Sequence, residues 1–352
     1  MKKEIGSIFA LSNKVLNKAE SEQVRFKGDR IYYSLCREAF SAIAKAVGGT
    51  VLLPSYTCQT VITPFKEAGW RYEFYSINKK LRIDTQSLLS AVEKHNPSLL
   101  VVHPFFGMDL DEEETNTLNC IKGNGIQIVL DLTQCLFSTK QYTFPSYIVA
   151  SYRKWMPIPD GGYLKLTDKS VKILQPTSEN TEFSERVIAA MYLRNIYFGN
   201  GELRTKAISI KLSKSADHIA DTHIIPHKMS NIAYNLLQIE DVEMNQKKRY
   251  KNYTFLFHNI CESNKVKRVC PYLTKVTTAP LYFPIYVQNR SELQGLLAQK
   301  AIYAPIIWPV EEERLLINAE VKYIYDHLLA IPCDQRYDMD DMQRVLSIIN
   351  NY

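Results

Sequence analysis

From Tyr32 onward the chain alternates two hydrophobic rhythms. Helical spacing recurs over 37–47, 58–68, 84–95 and 112–122, with Asp84 placed as an N-cap. Between these lie short apolar or alternating runs at 50–53, 71–76, 98–103 and 127–130, each the length of a strand. Helices alternating with short apolar strands predict an α/β fold, a mostly parallel sheet sandwiched by helices. The first thirty residues lack a clear period and read as an arm with at most one helix. Residues 170–228 are polar, with a helical stretch at 183–194, and read as an excursion over the surface. A long helix is expected from 229 to about 257, its apolar stripe formed by Met229, Ile232, Ala233, Leu236, Leu237 and Ile239. Beyond Cys270-Pro-Tyr the pattern gives strands at 279–287, a helix at 291–299 and a short strand near Ile302. Helices at 319–327 and 339–349 complete a smaller C-terminal α+β domain. The expected division is an N-terminal arm 1–29, a large domain 30–245 and a small domain 246–352. No internal repeat or low-complexity tract interrupts it.

Composition narrows the class. The chain has 352 residues, 46% hydrophobic and 23% charged, which is ordinary for a globular protein with a large core. Its net charge of +6 is modest, and acidic runs at 109–114 and 311–313 break any basic face. The short clusters 247–249 and 265–268 read as solvated surface, so no nucleic-acid partner is expected, while a weak positive field suits a phosphorylated substrate. The opening residues have too short an apolar run for a secretory signal. No window approaches the about 18 apolar residues of a membrane helix, so no membrane partner is expected and a cytoplasmic location is. Seven cysteines without a CxxC pair or zinc spacing predict free thiols and no metal site.

The segment Ser151-Tyr-Arg-Lys-Trp-Met-Pro-Ile-Pro-Asp-Gly-Gly162 holds the first candidate chemistry. It joins an apolar strand at 147–150 to another at 163–166, and its prolines and glycines fix the backbone. Lys154 on such a connection is held in place, and partial desolvation would free its amine to form an imine with a carbonyl. The alternative is a surface lysine, one of 43 lysines and arginines. Asp131 closes the strand run Gln127-Ile-Val-Leu-Asp131, where an α/β sheet presents functional groups; it suits equally the N-cap of a following helix. An acid for a pyridine nitrogen and an amine for an aldehyde together suit pyridoxal 5′-phosphate. His103 ends an apolar strand and reads as a strand cap more readily than as a site residue.

With these residues on the page, the chain resembles the DegT/DnrJ/EryC1/StrS family, the sugar aminotransferases among fold type I pyridoxal-phosphate enzymes. The similarity rests on Val51-Leu-Leu-Pro-Ser-Tyr-Thr57, Val129-Leu-Asp-Leu-Thr-Gln134, the 151–162 segment and Leu329-Ala-Ile-Pro-Cys-Asp-Gln-Arg-Tyr-Asp, in the same order. The resemblance implies that Lys154 is the lysine that holds the cofactor as an imine and that Asp131 pairs with the ring nitrogen. It places Gln134 near the ring hydroxyl and Ser151 at the cofactor phosphate. It also implies an amino-acid donor such as glutamate, a keto sugar carried on a nucleotide as acceptor, a role in polysaccharide biosynthesis, and a homodimer.

Three departures accompany the resemblance. Leu35-Cys36-Arg37 stands where the family has small and hydroxyl residues at the phosphate turn, leaving Cys36 and Arg37 as candidate contacts through helix N–H groups and a guanidinium, the alternative being an Arg37 that simply faces solvent. Cys58 occupies the place of an aromatic that stacks on the ring, which leaves Tyr56 or no residue in that role. Ile225-Pro226 replaces a Tyr-Asn pair that reaches the partner subunit, so that contact falls to His227 or Lys228 or is absent. Two other classes therefore stay open: a catalytically idle paralogue that binds or regulates, and a pyridoxal-phosphate enzyme of another reaction type acting on a small amino acid.

Overall fold

The computed structural model describes residues 3–20, 29–167, 171–222, 224–273 and 276–352. The chain opens with α1 (Asn13–Glu20), β1 (Arg30–Tyr33), α2 (Cys36–Ala46), β2 (Thr50–Pro54), α3 (Gln59–Glu67) and β3 (Arg71–Tyr75). Then come α4 (Thr85–His95), β4 (Leu99–Val102), α5 (Glu112–Gly123), β5 (Gln127–Asp131), β6 (Tyr147–Ser151) and β7 (Gly162–Leu166). Four helices follow: α6 (Thr181–Asn200), α7 (Leu203–Thr222), α8 (Asn231–Gln238) and α9 (Val242–Asn259). The last stretch holds β8 (Val266–Arg268), β9 (Phe283–Val287), α10 (Arg290–Gln299), α11 (Ala319–His327), β10 (Leu328–Ile331) and α12 (Met339–Ile349).

Strands β1 to β7 form one sheet in the order β1-β7-β6-β5-β4-β2-β3, and β10-β9-β8 form a small antiparallel one. Pairs β2–β3, β2–β4 and β4–β5 are parallel, whereas β1–β7 and β6–β7 are antiparallel. This is the α/β architecture expected from the alternating pattern. Its cause is visible in β4, where Leu99, Leu100, Val101 and Val102 are all buried, as a strand covered on both faces requires. Asp84 caps α4 as expected, its side chain accepting from Ser87 N at 3.0 Å.

The chain folds into two compact units. One comprises Ile8–Gly48 and Tyr147–Asp241, with β1, β6, β7, α2 and the helices α6 to α8. The other comprises residues 3–7, Gly49–Ser146 and Val242–Tyr352, with the parallel strands β2 to β5 and the small sheet.

Several elements differ from expectation. The 170–228 region is not a surface excursion with one short helix but a pair of packed twenty-residue helices, α6 and α7. Gly201 reverses the chain between them with φ 74°, its N–H donating to Tyr197 O at 2.8 Å. The buried positions of α7 are Thr205, Ser209, Ala216 and Ala220, small residues that allow close packing without an apolar stripe. The long helix expected over 229–257 is broken into α8 and α9, and Asp241, a residue type favoured at N-caps, stands just before α9. The strand expected near Ile302 is a single parallel bridge to Ile5. The N-terminal arm contains α1 and β-bridge residue Ile5; its residues 1–2 and 21–28 lie outside the described residues.

Candidate functional site

Asp131 lies at the carboxyl end of β5 and is buried. Its Oδ1 accepts from Thr133 N at 2.8 Å, and its Oδ2 lies 3.3 Å from His103 Nδ1. No helix follows it before β6, so the N-cap alternative is excluded. The His103 ring continues to Thr57 Oγ1, 2.8 Å from Nε2, and Thr57 N donates to Tyr325 OH at 3.2 Å. Burial alone would raise the Asp131 carboxyl, yet the His103 and Thr133 interactions outweigh it and hold the group below the usual carboxylate range. A buried carboxylate kept ionised is the chemistry required to hold a protonated ring nitrogen. An aromatic wall adjoins it: His103 lies 5.9 Å from Phe105 and 6.3 Å from Trp308, between ring centroids.

In the other unit, Lys154 sits on the turn after β6. Trp155 N donates to Tyr152 O at 2.8 Å, and Trp155, Met156 and Ile158 are buried, which fixes the turn as its prolines and glycines predict. Lys154 itself is exposed, against the expected partial desolvation, and no hydrogen bond or ion pair engages its ammonium among the described residues. Gly161 ties this turn to the start of α2. Its N–H donates to Ser34 O at 2.6 Å, its carbonyl accepts from Tyr152 N at 2.9 Å, and its φ of 131° is open only to glycine. At Gly162 an added Cβ would lie 2.6 Å from Cys36 N and 2.8 Å from Cys36 Cα, so β7 packs directly on the first turn of α2.

That first turn carries a buried Glu38, which accepts from Leu35 N at 3.4 Å and from His227 N at 3.0 Å. Burial pushes the Glu38 carboxyl upward, with the His227 bonds pulling it back, and the contact of His227 Nδ1 with Glu38 Oε1 at 3.4 Å raises the imidazole. Just before the helix, Ser34 is fully buried and its Oγ has no hydrogen-bond partner. An orphaned hydroxyl beside a helix N-terminus is a place where an anion's oxygen is satisfied.

The structure thus gathers Asp131, Gln134 and Cys58 in one unit and Cys36, Arg37, Ser151 and Lys154 in the other. Ser151 is buried at the end of β6, paired to Gly162. Gln134 is buried, with Oε1 accepting from Phe106 N at 3.0 Å and its carbonyl from Gly107 N at 3.2 Å. Cys58 is half-buried, its sulfur accepting from Thr60 Oγ1 at 3.0 Å. Tyr56 is wholly buried among Phe105, Trp308 and Tyr325. Arg37 neither faces solvent alone nor points to a free anion: its Nη1 donates to Ala220 O at 3.1 Å and pairs with Asp221. Lys228 pairs with Glu179 at 3.4 Å. Of the two readings of His103, strand cap and site residue, the structure shows its ring against Asp131; Ser34 was not singled out in the sequence. Ser34 supplies, one residue upstream, the hydroxyl that Leu35-Cys36-Arg37 lacks.

No protein-family model matches the chain, and no curated protein matches it either. Solved structures do. The sugar aminotransferase CalS13 from Micromonospora echinospora superposes with a TM-score of 0.68, covering 100% of both chains at 13% identity. The fold is that of sugar aminotransferases. A DegT DnrJ EryC1 StrS aminotransferase from Brucella abortus gives a TM-score of 0.60 at 13% identity over 97% of this chain and 91% of its own. NtdA from Bacillus subtilis, solved with bound cofactor PMP, gives 0.64 at 12% identity over 98% and 78%. Among the described residues no helix is long and apolar enough to cross a membrane, and no acidic, histidine or cysteine cluster could hold a metal ion.

Proposed function

We propose that this chain is a pyridoxal-phosphate-dependent aminotransferase that moves an amino group from an amino acid, glutamate in our reading, to a keto sugar carried on a nucleotide. One observation carries the reading: a chain sharing its fold end to end with sugar aminotransferases keeps a buried, ionised Asp131 at the carboxyl end of a sheet strand. The residues fit the cofactor. Asp131 would hold the ring nitrogen, the unengaged Lys154 amine the aldehyde, and Ser34 Oγ with Ser151 and the N–H groups of Cys36 and Arg37 the phosphate.

Bound pyridoxal phosphate supplies an electron sink for the bond at the substrate's Cα. The Lys154 amine would act as base and then acid for the proton at the substrate's Cα. Asp131, kept anionic by His103 and Thr133, would keep the ring nitrogen protonated throughout. The same reading divides the protein into a large domain over 30–245 and a small one over 246–352, and makes it a cytoplasmic homodimer.

The test is a half-reaction. Purified protein loaded with pyridoxal 5′-phosphate should release 2-oxoglutarate from glutamate in one equivalent, and a nucleotide-linked keto sugar should then accept the amine. Return of the amine to a small keto acid but not to a keto sugar would instead point to a small amino acid as substrate. The exposure of Lys154 and the engagement of Arg37 by Asp221 favour a second reading, an idle paralogue, and that reading predicts no 2-oxoglutarate at all.

A further inference from the structure

The α6–α7 pair, polar in sequence and absorbed by no part of the proposed chemistry, grips the two turns that matter most in its unit. Leu35, the N-cap of α2, is buried in a cluster with Phe183 of α6 and Ala216 and Ala220 of α7. Arg37, on the first turn of α2, is bonded to Ala220 O and paired with Asp221. Arg153, next to Lys154, is 3.8 Å from Asp217 and lies with its guanidinium 5.3 Å from the Phe183 ring centroid. Asp217 and Asp221 are one helical turn apart on α7, so a single helix face addresses both turns. Ser184 of α6 adds a bond to Asp160, the residue before Gly161-Gly162, at 2.5 Å.

We propose that the α6–α7 pair is a brace that sets the Lys154 turn and the first turn of α2, with Asp217 and Asp221 as positioning residues acting through Arg153 and Arg37. Leu35 and Arg37 and the pair of helices are then one feature: an apolar knob and a cation at the turn, and a socket and a carboxylate on the brace. Each ion pair is partly exposed, so each is worth little to global stability. Its effect is local, holding the short turn that follows β6 and the helix end in register.

The inference rests on the proposed cofactor reading for its functional side, but it has a readout without cofactor. Hydrogen exchange of the unloaded chain should show the Trp155 and Met156 amides, which close the Lys154 turn on Tyr152 O, exchanging roughly two- to fivefold faster in Asp217→Asn. Mid-helix amides of α2 should be unchanged, and Asp217→Glu should restore protection. With cofactor, Asp221→Asn should weaken binding of pyridoxal 5′-phosphate several-fold while leaving pyridoxal, which lacks the phosphate, unaffected. Asp217→Asn should slow borohydride trapping of both aldehydes on Lys154. Unchanged exchange at Trp155 and Met156 in Asp217→Asn overturns the brace. So does equal weakening of both aldehydes by Asp221→Asn. A wild-type chain that takes up neither aldehyde, yet shows the exchange difference, overturns the cofactor reading and leaves the brace standing.

Discussion

Asp160 offers a perturbation whose sign and size follow from its surroundings. It is fully buried, with Oδ2 accepting from Ser184 Oγ at 2.5 Å and Oδ1 from Ser230 N at 3.1 Å. Burial pushes its carboxyl up to about 6; the two serine bonds pull it down, and the Glu38 charge adds to the rise. In the unfolded chain the same group ionises near the ordinary ~3.9. Between those values the native state keeps a proton that the unfolded state has lost, so stability falls as the pH rises from about 4 to about 6 and is level above. The total fall is about 3 kcal/mol. Asp160→Asn is neutral throughout and lacks this term. Its amide cannot accept both serine bonds, which costs about 1–2 kcal/mol, but that loss does not depend on pH. Urea unfolding of both proteins at pH 4, 5, 6 and 7, followed by tryptophan fluorescence, should therefore show the stability of the variant relative to wild type improving by about 3 kcal/mol across the series. A flat difference, or one that worsens with pH, would refute the reasoning, the latter because it means that the folded protein prefers the anion.

Other expectations follow the same logic. His103→Phe strips Asp131 of its ring partner and should destabilise by about 2–3 kcal/mol at pH 7 by thermal or urea melts. Because Asp131 is held below the usual range, that loss should shrink as the pH falls below about 4 and the carboxylate takes up its proton. Gly162→Ala drives a methyl into Cys36 N and should cost about 1–3 kcal/mol, whereas Gly48→Ala, with no atom within 4 Å of the new methyl, should cost far less. Thiol titration should find Cys120 and Cys261 reactive in the native protein and Cys135, Cys270 and Cys333 only after unfolding. Burial raises Cys135 and pushes Cys333 up to about 12. Half-buried Cys36 should react at an intermediate rate that slows when pyridoxal 5′-phosphate is present.

Much of the fold was readable because its signals are local. The uninterrupted Leu99-Leu-Val-Val and Gln127-Ile-Val-Leu runs announce strands buried on both faces, and Asp84 announces the helix it caps through Ser87 N. Features set by contacts between distant segments were not readable. Helix α7 buries threonine, serine and alanine, with Ser209 Oγ bonded to Ala190 O of α6 at 2.7 Å, so no apolar period betrays its packing. The break between α8 and α9 falls where the apolar stripe ends at Ile239 and Asp241 stands before α9. At the site, the strand-end position of Asp131 and the fixed turn around Lys154 were legible from strand-end and proline-glycine chemistry. The pairing of His103 with a neighbouring strand's carboxylate, and of the Arg37 guanidinium with Ala220 and Asp221, was not, because those partners lie far along the chain.

The central claim is that Lys154 and Asp131 hold opposite ends of one pyridine ring. A crystal structure of the protein grown with pyridoxal 5′-phosphate tests it most directly. The account predicts density running unbroken from Lys154 Nζ into the ring, with the Asp131 carboxylate within hydrogen-bonding distance of the ring nitrogen. Cofactor density on another lysine, or a ring nitrogen facing anything but Asp131, would contradict it.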